Sequence, residues 1–89
     1  MYVGVKGVKV LDNYKLKIKF ENNEERIFDL KPYLELGKFS ELRDLNLFKR
    51  VRVVFDTIEW PNGIDLDPEF LYKHSIKEQG FSDKADGIA

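Results

Sequence analysis

The sequence predicts an α+β domain: an antiparallel β-meander of about five strands, with two short helical turns in its middle and a short helix near the C-terminus. Three observations carry this. Tyr14-Lys15-Leu16-Lys17-Ile18-Lys19-Phe20 alternates apolar and charged residues with period two, the mark of a half-buried strand. Pro32, Gly37 and Ser40 are helix start and stop residues spaced too closely for a long helix. Asp67-Pro68-Glu69 combines an N-cap residue, a proline suited to the first helical position and an acidic first turn.

Each element follows in order. Val8 and Val10 bracket Lys9 and begin the first strand; Leu16, Ile18 and Phe20 form the inward face of the second. A two-residue Asp12-Asn13 turn would set Val10 against Lys15 and put a charge on the apolar face. An odd-length loop, Asp12-Asn13-Tyr14, pairs Val10 with Leu16 and Val8 with Ile18 and is preferred. At Asn22-Asn23 the pattern leaves two registers open. A two-residue turn sets Ile27 opposite Ile18, and a three-residue loop brings Phe28 and Leu30 onto the core face. Residues 25–30 are a strand in either case.

Pro32 and Gly37 bound a single helical turn over residues 32–36, and Ser40 is the expected N-cap of a second turn carrying Leu42 and Leu45. Residues 50–55 resume the strand period. A turn at Asp56-Thr57 would pair Phe55 with Ile58 and Val53 with Trp60, an apolar set on one face. Pro61 stops the strand and Asn62-Gly63 turns the chain. A helix over residues 68–75 follows, with Phe70, Leu71 and Ile76 available for packing. The domain is expected to span residues 1–78, and residues 79–89 are polar with two glycines and read as a frayed tail with Phe81 as its one anchor.

Composition excludes several classes. An 89-residue chain with 43% apolar residues, seven Phe, four Tyr and one Trp holds one core and is not disordered. Fifteen basic and sixteen acidic residues leave a net charge of -1, so nucleic acid or anionic lipid would have to be met by a segregated patch. The absence of cysteine rules out disulfides, thiolate metal sites and a thiol nucleophile. The N-terminus has no basic head followed by an apolar stretch, and no apolar run exceeds three residues. A cytoplasmic protein with no membrane span is expected.

The succession Phe28-Asp29-Leu30, Leu34, Gly37, Phe39, Leu42, Phe48, Val51, then Trp60-Pro61-Asn62-Gly63-Ile64-Asp65-Leu66 with Pro68 and Leu71 resembles a small bacterial family of unknown function, numbered twenty-four forty-two. The resemblance covers about residues 3–73, and the stretch from Trp60 to Leu66 is its most specific part. It implies an α+β fold on an antiparallel meander. Some members of that family carry a helix-turn-helix domain after this module. Others stand alone beside a second small protein in a toxin–antitoxin-like arrangement. The sequence ends at residue 89, so a following helix-turn-helix is not expected here. Asn22-Asn23 replaces the family's more usual glycine-containing turn. The family offers no catalytic residue to carry over.

Candidate chemistry is sparse. Asp65, Asp67 and Glu69 have enough oxygens for a hard cation, but capping explains Asp67, the helix dipole explains Glu69, and the spacing is not that of a calcium loop. No metal or cofactor is therefore expected. Trp60 is either a recognition anchor or a core residue, and its alignment with Phe55 and Ile58 in the strand pattern favours the core. Trp60, Asn62, Gly63 and Asp65 are the candidate interaction surface. Lys9, Lys15, Lys17 and Lys19 form a candidate basic face able to meet phosphates, with Tyr14 at its end to stack on a base. The competing reading is a solvated face neutralised by Glu25 and Asp29. His74 is the one histidine, and Ser40, Ser75 and Ser82 are the only serines; nothing groups them as a triad. The expected function is a non-enzymatic interaction or regulatory module that binds a second small protein. Nucleic-acid association through the lysine face is the alternative, and metal-assisted hydrolysis by Asp65 and Asp67 the third reading.

Overall fold

In the computed structural model, which describes residues 3–77, the first two strands are β1 (Val5–Val10) and β2 (Lys15–Phe20). Val10 pairs with Leu16 and Val8 with Ile18, the odd-loop register. Asn13 and Tyr14 both take a positive φ of 61° in that loop. The register shifts between Val5 and Gly7, a bulge at Lys6. It reconciles an odd-numbered apolar residue with an even-numbered face: Val5 enters the core and Lys6 stays outside.

Strand β3 (Glu25–Asp29) follows a three-residue loop, Glu21-Asn22-Asn23, with Asn23 at φ 70° and the Asn22 carboxamide accepting from the Glu24 N–H at 3.0 Å. Leu16 pairs with Phe28, so Phe28 and Leu30 lie in the core and Ile27 faces out opposite Lys17. This settles the open register. Asparagine makes it possible, since it accepts the left-handed region better than most residues.

The middle of the chain is two 3-10 segments, Lys31–Tyr33 and Gly37–Arg43, then α1 (Leu45–Phe48). Gly37 takes a φ of 49° between the two turns. Ser40 is not an N-cap. It sits inside the second segment, donating to the Gly37 carbonyl at 2.9 Å, while Asp44 caps α1 through the Asn46 N–H. The 3-10 winding carries the chain past Ser40 without a break, which leaves no free N–H there to cap.

Strands β4 (Arg52–Val54), β5 (Thr57–Glu59) and β6 (Asp65–Leu66) form a second antiparallel sheet in the order β4-β5-β6. Here the expected register is corrected: Val53 pairs with Ile58 and Val54 with Thr57, so the turn is Phe55-Asp56. A two-residue slip keeps Val53, Ile58 and Trp60 on the same face, so alternation is blind to it. Phe55 is expelled to the tip. The Asp56 carbonyl there accepts the Val5 N–H at 2.7 Å, which ties the second hairpin to β1.

Helix α2 (Pro68–His74) starts where the sequence places it, with the Asp67 carboxylate accepting the Glu69 N–H at 3.1 Å. Asp67→Ala removes that cap and is expected to lower stability by about 1 kcal/mol. Asp67→Asn should recover most of it, as read by thermal melting. Strand β7 (Ile76–Lys77) then pairs with β3, completing the first sheet as β1-β2-β3-β7. Ile76 is corrected here: it pairs with Ile27 on the outer face and is 76% exposed, so it is not a packing residue of the helix. The core between the sheets and helices holds Leu16, Ile18, Phe20, Phe28, Leu42, Phe48, Ile58, Trp60 and Leu71 among others. No helix of the described residues is long and apolar enough to cross a membrane. The tail 79–89 with Phe81 lies outside the described residues.

Candidate functional site

The segment from Trp60 to Leu66 is a β-hairpin. The Trp60 N–H donates to the Ile64 carbonyl at 2.8 Å, and the Gly63 N–H donates back to the Trp60 carbonyl at 3.0 Å. Asn62 closes the loop by accepting the Ile64 N–H through its side-chain oxygen at 3.2 Å. Its amide nitrogen donates to Glu41 at 2.9 Å, which ties the loop to the second 3-10 segment. Gly63 stands at φ 93°, a conformation that a Cβ disfavours. Sequence reasoning finds the turn but misses β6, because two residues are too few to show a period.

Trp60 is 1% exposed, and its indole N–H donates to the Phe48 carbonyl at 3.0 Å. Its rings lie 6.3 Å from Phe48 at 26°. It therefore lies in the core and leaves the candidate surface to Asn62, Gly63 and Asp65. Asp65 is exposed and sits in register with Glu59 on β5. Asp67 is committed to capping. Among the described residues no three metal-ligating side chains converge. His74 lies over the Phe70 ring, 4.4 Å between centroids, while Ser75 is buried and bonded to Arg26, so these two are not arranged as base and nucleophile. Ser82 lies outside the described residues.

The lysines share the outer face of the first sheet. Lys9 stands directly opposite Lys17, Lys15 opposite Asp29 and Lys19 opposite Glu25. Lys17 reaches Glu25 at 3.9 Å, and Asp29 is bridged by Lys31 at 3.3 Å. Acidic residues are thus interleaved with the basic ones. Tyr14 is corrected as a stacking platform. Its ring meets Phe48 edge-on at 5.2 Å and its hydroxyl donates to the Arg43 carbonyl.

Two features escape the sequence reading. The first is a polar clasp between β3 and α2. The Arg26 guanidinium donates to the Ser75 hydroxyl, the Ser75 carbonyl and Glu24, each at 2.9 Å, and lies 4.4 Å over the Tyr72 ring. The Tyr72 hydroxyl donates to the other Glu24 oxygen at 2.9 Å. Its signal was available: Arg26 shares the inward phase of Phe28, and a cation in that phase needs partners. The second is Phe55, displaced to the tip of the β4–β5 hairpin.

The Tyr72 hydrogen bond first, then that from Arg26, with Lys77 and Arg26 charges adding, holds the Glu24 carboxyl below its ordinary value of 4.5. The folded state therefore binds this proton less tightly than the unfolded chain. The clasp adds stability above the ordinary carboxylate range and loses it as pH falls through the lowered value. Melting wild type and Glu24→Gln in parallel between about pH 3 and 7 should show the gap narrowing on acidification, and a gap independent of pH would contradict the linkage.

Two antiparallel sheets closed by a capped C-terminal helix, with a buried-tryptophan hairpin in the second sheet, define a small α+β domain class. The chain belongs to the family described as Protein of unknown function (DUF2442), which matches residues 5–77, from the first residue of β1 to the last of β7. No curated protein and no solved structure matches it.

Proposed function

We propose that this chain is a non-enzymatic, cytoplasmic interaction module that binds a second small protein, as one half of a regulatory or toxin–antitoxin-like pair. The observation that carries this reading is Phe55: 97% exposed, at a hairpin tip, in a left-handed conformation of φ 58°. Aromatic side chains presented in this way are typical anchors of protein interfaces, and a bulky residue is held at positive φ only where the surroundings impose it. The test is co-expression with the products of the adjacent genes, followed by affinity capture. A stoichiometric complex is expected, and repeated recovery of this chain alone would count against the reading.

One observation favours nucleic acid as a second reading. Lys9 stands in direct cross-strand register with Lys17, so two basic side chains are presented together on the outer face, which suits an anionic partner. Interleaved Glu25 and Asp29 weigh against it. Titrating DNA and RNA at low ionic strength decides: the absence of salt-dependent binding removes the idea.

A further inference from the structure

The β4–β5 turn is tethered to the start of β1. The Asp56 carbonyl is bonded to the Val5 N–H at 2.7 Å, and Gly4 lies under the turn so closely that a Cβ there would meet Asp56 at 3.0 Å and Glu21 at 2.9 Å. Phe55 thus projects from a tethered backbone in a conformation better suited to glycine, so the turn that presents it is formed before binding. Phe55 is also the most exposed of the four large apolar side chains that stand out among the described residues; Leu36, Leu45 and Ile76 belong to other elements.

The outer face of the same sheet is acidic. Arg52, Glu59 and Asp65 lie abreast on β4, β5 and β6, with Glu59 in register with both neighbours. Arg52 offsets one carboxylate. The second remains in a like-charge cross-strand pair, which disfavours the isolated fold. Glu21 brings one more carboxylate to the base of the knob, while Lys38 reaches the β5–β6 turn at Gly63. An aromatic knob on a net-acidic surface is complementary to a concave apolar pocket rimmed by Lys and Arg.

We propose that the Phe55 tip and the Glu59–Asp65 face form one docking surface, whose occupant is a folded protein presenting a basic-rimmed apolar pocket. This rests on the interaction reading above and adds to it a surface and a partner chemistry. The same backbone strain that displays Phe55 makes stability and binding oppose each other at this position.

The experiment uses the full chain and the co-expressed neighbour, with affinity measured calorimetrically at low and high salt. Phe55→Gly is expected to weaken the complex by about 30-fold or more while raising Tm by about 3 °C. Phe55→Trp should retain binding. Glu59→Gln with Asp65→Asn should weaken it several-fold and flatten its salt dependence. A complex that tolerates Phe55→Gly, or a fall in Tm for that variant, overturns the docking surface and leaves the interaction reading standing. Phe55-dependent self-association in sedimentation, or Phe55-dependent binding to phosphatidylcholine vesicles, overturns it in favour of a second copy or a lipid surface. No complex with the neighbour overturns both readings.

Discussion

Trp60→Ala is expected to cost about 4 kcal/mol, a large part of the stability of a domain this small. The indole is 1% exposed and packs beside Phe48 in the interior, so truncation leaves a large void that the two sheets cannot close. A polar loss adds to the void. The Phe48 carbonyl accepts the indole N–H at 3.0 Å and otherwise has a longer bond from the Val51 N–H at 3.4 Å. Trp60→Phe isolates the smaller part, filling most of the volume without the donor, and should cost about 2 kcal/mol. Urea unfolding followed by far-UV circular dichroism measures both variants. Fluorescence does not serve, because Trp60 is the one tryptophan. A cost below about 1 kcal/mol for the alanine variant would show that the core collapses around the site.

Arg26→Ala is the second large effect, expected at about 3 kcal/mol. It removes three charge-assisted hydrogen bonds and a cation–π contact from a guanidinium whose side chain is 16% exposed. Ser75 and Glu24 then lose their common partner in a partly buried site. Arg26→Lys should recover little, because one ammonium cannot span Glu24, the Ser75 hydroxyl and the Ser75 carbonyl at once. The damage should be local first. Arg26 joins β3 to the end of α2 and the start of β7, so hydrogen exchange over residues 68–77 should accelerate before global unfolding. Uniform acceleration along the chain would mean that the clasp belongs to the global core.

Local chemistry was legible wherever one residue decides one geometry. Asp67-Pro68-Glu69 names a helix start, because each side chain acts on backbone within its own turn. The phase of Val8, Val10, Leu16 and Ile18 excludes the even-length loop, because the wrong parity would bury a lysine. Asn22-Asn23 remained ambiguous, since asparagine suits both turn lengths. Only Phe28 and Leu30 in the core decide for the longer one. The candidate site was legible in part. Trp60 reads as core from its phase with Ile58, and Asn62-Gly63 reads as a turn. That Asn62 reaches Glu41, and that Asp65 stands beside Glu59, depends on a strand too short to leave a period.

The β4–β5 hairpin separates the two kinds of information most sharply. Period-two alternation determined which face Val53, Ile58 and Trp60 occupy, because side-chain direction is a property of each strand alone. It left the register undecided between slips of two residues, which all satisfy the same alternation. The tertiary structure chose between them, through the Asp56 carbonyl bonded to Val5 and the indole of Trp60 bonded to Phe48. Both bonds join segments distant in sequence, and neither leaves a trace in local pattern. Their consequence is Phe55 at the tip: apolar by composition, inward by the simplest reading, and outward because contacts elsewhere set the turn.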